Sequence, residues 1–447
     1  MKDVDLIKGS IWKSIVLFSI PLLIGNLFQQ LYNTVDSYVV GNYISSHALA
    51  AVGQSTSIIN MLVGLFMGLS TGAGVIISQY YGSENFKELK QAIHTSLALT
   101  FVLCIVFTLI GIAMAHPILV WIGSPQEVLP LATTYLQIYF AGVSFMLIYN
   151  MGSGILRALS DSKSPLIYLM FSSVVNIILD LVFVLILDLG VAGVAIATTI
   201  AQFVSAMLVL YKLTHTEEIY KVEWKQIRFS APILSRIVSI GFPAAIQNAI
   251  VSFSNVLVQS YISSFGAAAV AGYSTTVKLD GFLQLPIQSF SMAITTFSGQ
   301  NYGAGLYKRV RKGLMVTLAL CCFIIVSGSL IMYTHSEFLV SLFTKDAKAI
   351  RAGMTMISVF SPAYVTLPFC HVIAGSLRGM GQAKAPMVSM IFCFVFLRQL
   401  YLYIATSFHP SLVTVFLGWP LTWIINAMIM IIYYIKYSKK LKMKEFA

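Results

Sequence analysis

Charge is scarce in this chain. Of its 447 residues only 10% are Asp, Glu, Lys or Arg, while 58% are hydrophobic; soluble domains spend about 25% on charge. A surface so poorly supplied is not wetted all round, and a mean hydropathy of +0.84 agrees. The chain is therefore read as an integral membrane protein. Acids are scarcer still, 16 against 28 basic residues, but the basic excess gathers at the borders of apolar stretches and is no nucleic-acid footprint. Cysteine is equally thin. Cys104, Cys321, Cys322, Cys370 and Cys393 all lie in apolar stretches, which excludes a disulfide framework and a metal-ligand spacing. The period-2 alternation of a β-barrel is missing too. The first apolar run continues through Gln29, Tyr32 and Asp36 and does not close at a small-residue cleavage site, so a retained first span is expected.

What is present is a series of long apolar runs. A spanning helix needs about 20 residues, and the breaks give twelve expected spans: 15–38, 48–77, 93–116, 128–151, 166–187, 191–213, 236–262, 268–298, 313–334, 352–376, 387–406 and 415–435. The expected fold is all-α, two parallel six-helix bundles with pseudo-two-fold symmetry. The divisions are 1–213 for the first bundle, 214–235 for a cytoplasmic linker and 236–447 for the second bundle. The linker mixes both charge signs around Trp224 and reads as an interfacial amphipathic segment. With both termini cytoplasmic, 23 of the 28 Lys and Arg fall on the inside, three (Lys345, Lys348, Arg351) outside, and Lys278 and Arg398 within spans. Positive residues favour the cytoplasmic side, so this orientation is expected, in the cell membrane.

The two halves repeat. Gln79-Tyr80-Tyr81-Gly82 returns as Gln300-Asn301-Tyr302-Gly303, Leu156-Arg157 as Leu377-Arg378, Lys163 as Lys384 and Pro165 as Pro386, all at an offset of 221. Pro21, Asn26 and Asn33 return as Pro243, Asn248 and Asn255 at 222. Copies of six spans enter the membrane from the same side, so the repeats are parallel, and paired bundles that rock about a cleft are transporter architecture. The glycines of the two Gln-x-x-Gly motifs are expected to end their helices in the left-handed conformation. Arg157 and Arg378 are expected to brace loops or snorkel.

Three carboxylates stand mid-span: Asp36, Asp180 and Asp280. An aspartate at the bilayer centre costs about 2.5–3.5 kcal/mol on insertion scales, so each should face a protein interior or a wet cavity. Gln29, Asn33 and Asp36 share one helical face, as do Asn176 and Asp180, and Asp280, Gln284 and Gln288. Thr198 and Thr199 add hydroxyls to an apolar run. Two readings of the acids stay open: a polar network that ties helices together, or an ion site. Val258 stands where the repeat would match Asp36, so the halves are not equivalent. Arg398 has no sequence-local partner; it either neutralises Asp280 or reaches head groups. Aromatics near the expected cleft, among them Tyr32, Tyr139 and Tyr149, suit amphipathic organic cations through apolar and cation–π contact. The candidate substrate cavity comprises Gln29, Tyr32, Asn33, Tyr149, Asp280 and Gln284. Pro21 removes a helix hydrogen bond and Gly25 follows one turn later, so this pair is either a hinge or merely the start of a span at the interface.

Pro21-Leu-Leu-Ile-Gly25-Asn26-Leu27 with Leu31-Tyr32-Asn33-Thr34-Val35-Asp36, then Gly41-Asn42, Ala48-Leu-Ala-Ala-Val-Gly53 and the two Gln-x-x-Gly motifs resemble the multidrug and toxic compound extrusion (MATE) family, over the whole chain and in its prokaryotic DinF-like branch. The resemblance implies a coupling group for H+ or Na+ in the first bundle, at Asp36, Asn176, Asp180 and Thr198, with Na+ near Asp36 as one option. It implies a secondary antiporter that exports amphipathic, often cationic, drugs, dyes and toxins by alternating access. No cofactor, structural metal, nucleic acid or catalytic residue is expected, and a monomer in the lipid bilayer is the expected state. A flippase for lipid-linked saccharides is the alternative; it would need a basic cavity to hold pyrophosphate, and only Lys278 and Arg398 lie within spans. An enzyme lacks a nucleophile–base constellation, and a scaffold or receptor gives the mid-span acids no purpose.

Overall fold

The computed structural model describes residues 4–445, without the side chains at positions 33, 37, 46, 248, 250–253 and 441–445. The chain is helical throughout. The first half forms α1 (Ile11–Tyr43), α2 (Ser46–Gly82), α3 (Phe86–Trp121), α4 (Leu129–Ala158), α5 (Lys163–Leu181) and α6 (Gly190–His215). The second forms α7 (Ala231–Ser263), α8 (Ala267–Gly303), α9 (Tyr307–Thr334), α10 (Ser336–Ser341), α11 (Ala347–Phe360), α12 (Thr366–Gly379), α13 (Lys384–Met390), α14 (Arg398–Phe408) and α15 (Leu412–Glu445). A π-helical turn, Val182–Ile186, extends α5, and another, Ile391–Leu397, joins α13 to α14. All twelve expected spans fall on these helices, the tenth across the broken pair α11–α12.

Nine helices among the described residues are long and apolar enough to cross a membrane, and ten if α11 and α12, bent by 56° at their break, form one span. The protein is thus an all-α, multi-pass membrane protein. The apolar part of α7 is described only over Ala231–Gln247, and α8, with Lys278, Asp280, Gln284 and Gln288, is not among the nine.

Caps and turns set the helix ends. The Ser45 hydroxyl accepts from the Ala48 amide at the start of α2, and Asn85 Oδ1 accepts from the Glu88 amide at the start of α3, each satisfying an amide the helix leaves orphaned. Gly82 and Gly303 are the last residues of α2 and α8, but the left-handed residues are Glu84 (φ 55°) and Gly305 (φ 72°). The expected left-handed glycines therefore lie two positions too early: the motif glycines close the last helical turn, and the reversal follows them. Gln79 and Tyr80 have a different task, accepting hydrogen bonds from Arg236.

The chain gathers into two compact units. The first comprises residues 1–4 and Ile24–Gly241, and the second Asp5–Leu23 and Phe242–Ala447. The divisions fall inside α1 and α7, not within the 214–235 linker. In the first unit the linker folds back on α3: the Glu223 amide donates to His94 Nε2, the Ser230 amide donates to Thr95 Oγ1, and Trp224 stacks on Phe101. The start of α7 packs tightly on α2, and a Cβ at Gly72 would lie 2.5 Å from the Ile237 carbonyl oxygen. The core of this unit is α4, packed between α2, α3 and α6. In the second unit α8 packs on α9, α11 and α12, while α15 covers α11, α12 and α14.

Close helix approaches in both units are fixed by small residues and hydroxyls. Ser70 Oγ donates to the Asn150 carbonyl in the first unit, and Ser291 Oγ donates to the His371 carbonyl in the second. Arg378 braces the second unit from within by donating to Gln247 and Ser291.

Candidate functional site

The polar residues of the first unit converge from four helices. α1 brings Tyr32 and Asp36, one turn apart. α5 brings Asn176 and Asp180, also one turn apart and just before the π-helical turn. α4 brings Tyr135 and Tyr139, and α6 carries Thr198 and, one turn on, Gln202, whose amide donates to the Tyr139 hydroxyl. Each pair has the four-residue spacing that stacks side chains on one helical face, so apolar helices present narrow polar stripes to one another. Asp36, Asn176, Asp180 and Thr198 are 8%, 2%, 0% and 5% exposed, and all four are shielded from lipid by protein.

Asp36 and Asp180 are direct neighbours, and each senses the other's carboxyl group. Tyr32 and Tyr135 lie within electrostatic reach of both acids, and Tyr32 also of Tyr139 and Tyr149. Many polar atoms here have no hydrogen-bond partner: Asp36 Oδ1, both Asp180 oxygens, both ends of the Asn176 amide and Gln202 Oε1. An unsatisfied buried polar group costs about 1–3 kcal/mol, more when charged. Two adjacent carboxylates would repel as well. A proton or a small hard cation between them removes the repulsion, and a cation finds the carboxylate and amide oxygens that such ions prefer. No group of three or more His, Cys, Asp or Glu forms among the described residues.

The other expected residues are distributed differently. The Thr198 hydroxyl donates to the Val194 carbonyl of its own helix, 3.0 Å away. Tyr149 donates to the Pro165 carbonyl at 2.9 Å, which ties α4 to α5. Gln29 is exposed, and the side chain of Asn33 lies outside the described residues. Pro21 and Gly25 are both buried on α1, which runs unbroken through them; Pro21 belongs to the second unit and Gly25 to the first. Residue reading passed over Tyr135 and Gln202. The signal was there in part: Tyr135 lies four residues before Tyr139, and Gln202 four after Thr198, whose Oγ1 shares its stripe.

Asp280 and Gln284 belong to the second unit, where the Gln284 amide donates to Asp280. The Tyr364 side chain lies against Asp280. Lys278 sits over the Phe343 ring. Arg398 follows neither expectation. It is 2% exposed, away from any head group, and no ion pair holds it among the described residues; the pairs there are His47–Glu127 and Lys90–Glu223. Its guanidinium donates to Thr422, Asn255 and Ser254. The expectation failed because those acceptors are neutral and come from α7 and α15, remote in sequence.

Comparison with known proteins places the chain as a whole. The MatE family model matches residues 21–182 and again 243–404, an offset of 222 at both ends. The probable multidrug resistance protein YoeA of Bacillus subtilis is 28% identical over 437 residues, covering 96% of this chain and 94% of its own. A solved MATE in the bent conformation superposes with a TM-score of 0.94 at 22% identity over 100% of both chains. A MATE in the straight conformation gives 0.92 at 23% over 99% of both.

Proposed function

The chain belongs to the MATE family of multidrug and toxic-compound efflux transporters, and from that premise we propose that it couples export to an ion at Asp36 and Asp180. It is a multi-pass plasma-membrane protein and a secondary transporter of small organic compounds, not an enzyme. The adjacent buried carboxyls of the first unit, with their unsatisfied oxygens, carry the coupling assignment. Entry of H+ or Na+ removes their repulsion, while Asn176 and Thr198 orient the site from α5 and α6. The exported compounds are amphipathic and often cationic. Tyr32 stands beside the acids, where its ring can report ion occupancy to a bound substrate, and Gln29, Asn33, Tyr149, Asp280 and Gln284 complete the substrate-lining set.

The finer architecture is twelve membrane helices in two parallel six-helix bundles with pseudo-two-fold symmetry, both termini cytoplasmic, in the DinF-like branch. In that count α7 and α8 are the seventh and eighth spans and α11–α12 the tenth. The two matches of one family model support the repeat. So do two equivalent hydrogen bonds, since Ser70 and Asn150 correspond to Ser291 and His371 at the offset of 221. Lysines and arginines support the orientation. Alternating access proceeds through a hinge at Pro21–Gly25: the compact units divide α1 between Leu23 and Ile24, and relatives have been solved bent and straight.

Uptake of a fluorescent organic cation into inverted vesicles tests the proposal. A pH or Na+ gradient of the right sign should drive it; uptake indifferent to both gradients would refute ion coupling.

A further inference from the structure

The second unit carries a group of cations that its own acids do not meet. Lys308, Arg311 and Lys312 lie in the first turns of α9, and Lys436, Lys439 and Lys440 stand near the end of α15; all six are exposed. The sequence of α9 has no acid, and α15 has none before Glu445. The ion pairs among the described residues, His47–Glu127 and Lys90–Glu223, both lie in the first unit. Asp5 is within electrostatic reach of Arg309, but that guanidinium is turned to the carbonyls of Leu6, Lys8 and Gly9 and is not one of the six.

The two helix ends form one corner. Tyr434 of α15 is within electrostatic reach of Arg311, and Tyr437 lies against Tyr302, the penultimate residue of α8. Rings cover the seam: Tyr302 and Tyr307 are 5.5 Å apart, and Tyr433 stacks on Tyr437 at 6.4 Å. These four are half-buried. Tyrosines with an apolar body and a polar tip, beside cations on long apolar stems, suit the border between hydrocarbon and head groups.

The repeat supplies the comparison. At the offset of 221, Lys308, Arg309, Arg311 and Lys312 correspond to Lys87, Glu88, Lys90 and Gln91, and Lys436, Lys439 and Lys440 to His215, Glu218 and Ile219. Lys90 is held by Glu223 at 3.9 Å. The corner is therefore mixed in charge and partly paired in the first unit. In the second it is cationic, with no ion pair among the described residues. A general preference of basic residues for one side of the membrane does not require that difference.

We propose that this corner of the second unit binds an anionic phospholipid of the leaflet it faces. The cations of α9 and α15 hold the phosphate, the tyrosine rings line the headgroup level, and the acyl chains run along the apolar faces of both helices. Basic clusters beside spanning helices attract anionic lipids in this way, and the first unit has no equivalent site. The orientation given above serves only to call the leaflet cytoplasmic, and the site is independent of the coupling assigned to Asp36.

Native mass spectrometry of the full chain, released from a neutral detergent, counts the phospholipids it retains. The wild-type protein should retain phosphatidylglycerol at a concentration at least about fivefold below that needed for phosphatidylcholine. The fourfold variant Arg311→Gln, Lys312→Gln, Lys439→Gln and Lys440→Gln should lose that preference. A control that removes the same charge from the first unit, Lys87→Gln, Lys212→Gln, Lys221→Gln and Lys225→Gln, should keep it. Lys439→Glu alone, which places here the acid that the first unit has at Glu218, should lower the preference at least about threefold and serves where the fourfold variant does not insert. Equal retention of both lipids by the wild type would overturn the proposal, as would equal loss of preference in the two fourfold variants. Displacement of phosphatidylglycerol by the same concentration of glycerophosphoglycerol, its headgroup without tails, would also overturn it, since the occupant would then be a soluble anion.

Discussion

Replacing Gly72 with alanine tests the packing on which the first unit rests. A Cβ at this position would meet the Ile237 carbonyl oxygen at 2.5 Å, the Gly241 nitrogen at 2.6 Å and the Gly241 Cα at 2.7 Å. All three are backbone atoms, so no rotamer change relieves the contact. Restoring ordinary separation, 3.4 Å or more, requires α2 and the start of α7 to part by about 0.9 Å, and forced overpacking of this kind costs about 1–3 kcal/mol. Alanine also gains helix propensity, worth about 1 kcal/mol over glycine, which would mask part of the loss. Gly53 supplies the reference: it lies on the same helix with nothing within 4 Å of its Cβ, so Gly53→Ala collects the same gain without the clash. The difference between the two variants isolates the close approach. In detergent, Gly72→Ala should unfold at least about 1 °C below Gly53→Ala, as expected for one or more kcal/mol in a chain of this size. Equal melting temperatures would mean that α7 does not begin its course against α2.

Asp36→Asn and Asp180→Asn should both abolish gradient-driven export, whereas Asn176→Ala and Thr198→Ala should reduce it by smaller factors, all measured as dye efflux at matched membrane insertion. Pro21→Ala should impair efflux more than Pro243→Ala, because Val258 stands where the second half would carry an acid; equal effects would refute the hinge in α1. A single cysteine at position 345, in a background without the native cysteines, should react with an impermeant maleimide in intact cells; reaction only after permeabilisation would refute the orientation.

The helices were legible in the sequence because membrane spans are the strongest pattern a chain can write: about 20 apolar residues between charged breaks. The acids of the first unit were legible for the same reason, since Asp36 and Asp180 interrupt such runs and Asn176 shares a face with Asp180 at a helical spacing. What could not be read is how helices far apart in sequence are placed. Nothing local indicates that Asp36 and Asp180 adjoin, that Tyr135 and Gln202 join them, or that Arg398 is bonded by Thr422 and Asn255. Nor does anything local to the linker indicate that His94 and Thr95 of α3 accept hydrogen bonds from its backbone. The compact units also cut α1 and α7 where the sequence shows continuous apolar runs, since the partner of each helix half is set by packing and not by composition.

Reconstitution tests most directly whether Asp36 carries the coupling ion. In proteoliposomes of matched protein content, the wild-type protein should accumulate a fluorescent cation against its gradient when a proton or Na+ gradient is imposed. Asp36→Asn should bind the dye in detergent yet fail to accumulate it. Accumulation by the Asp36→Asn protein at a rate near that of the wild type would contradict the assignment.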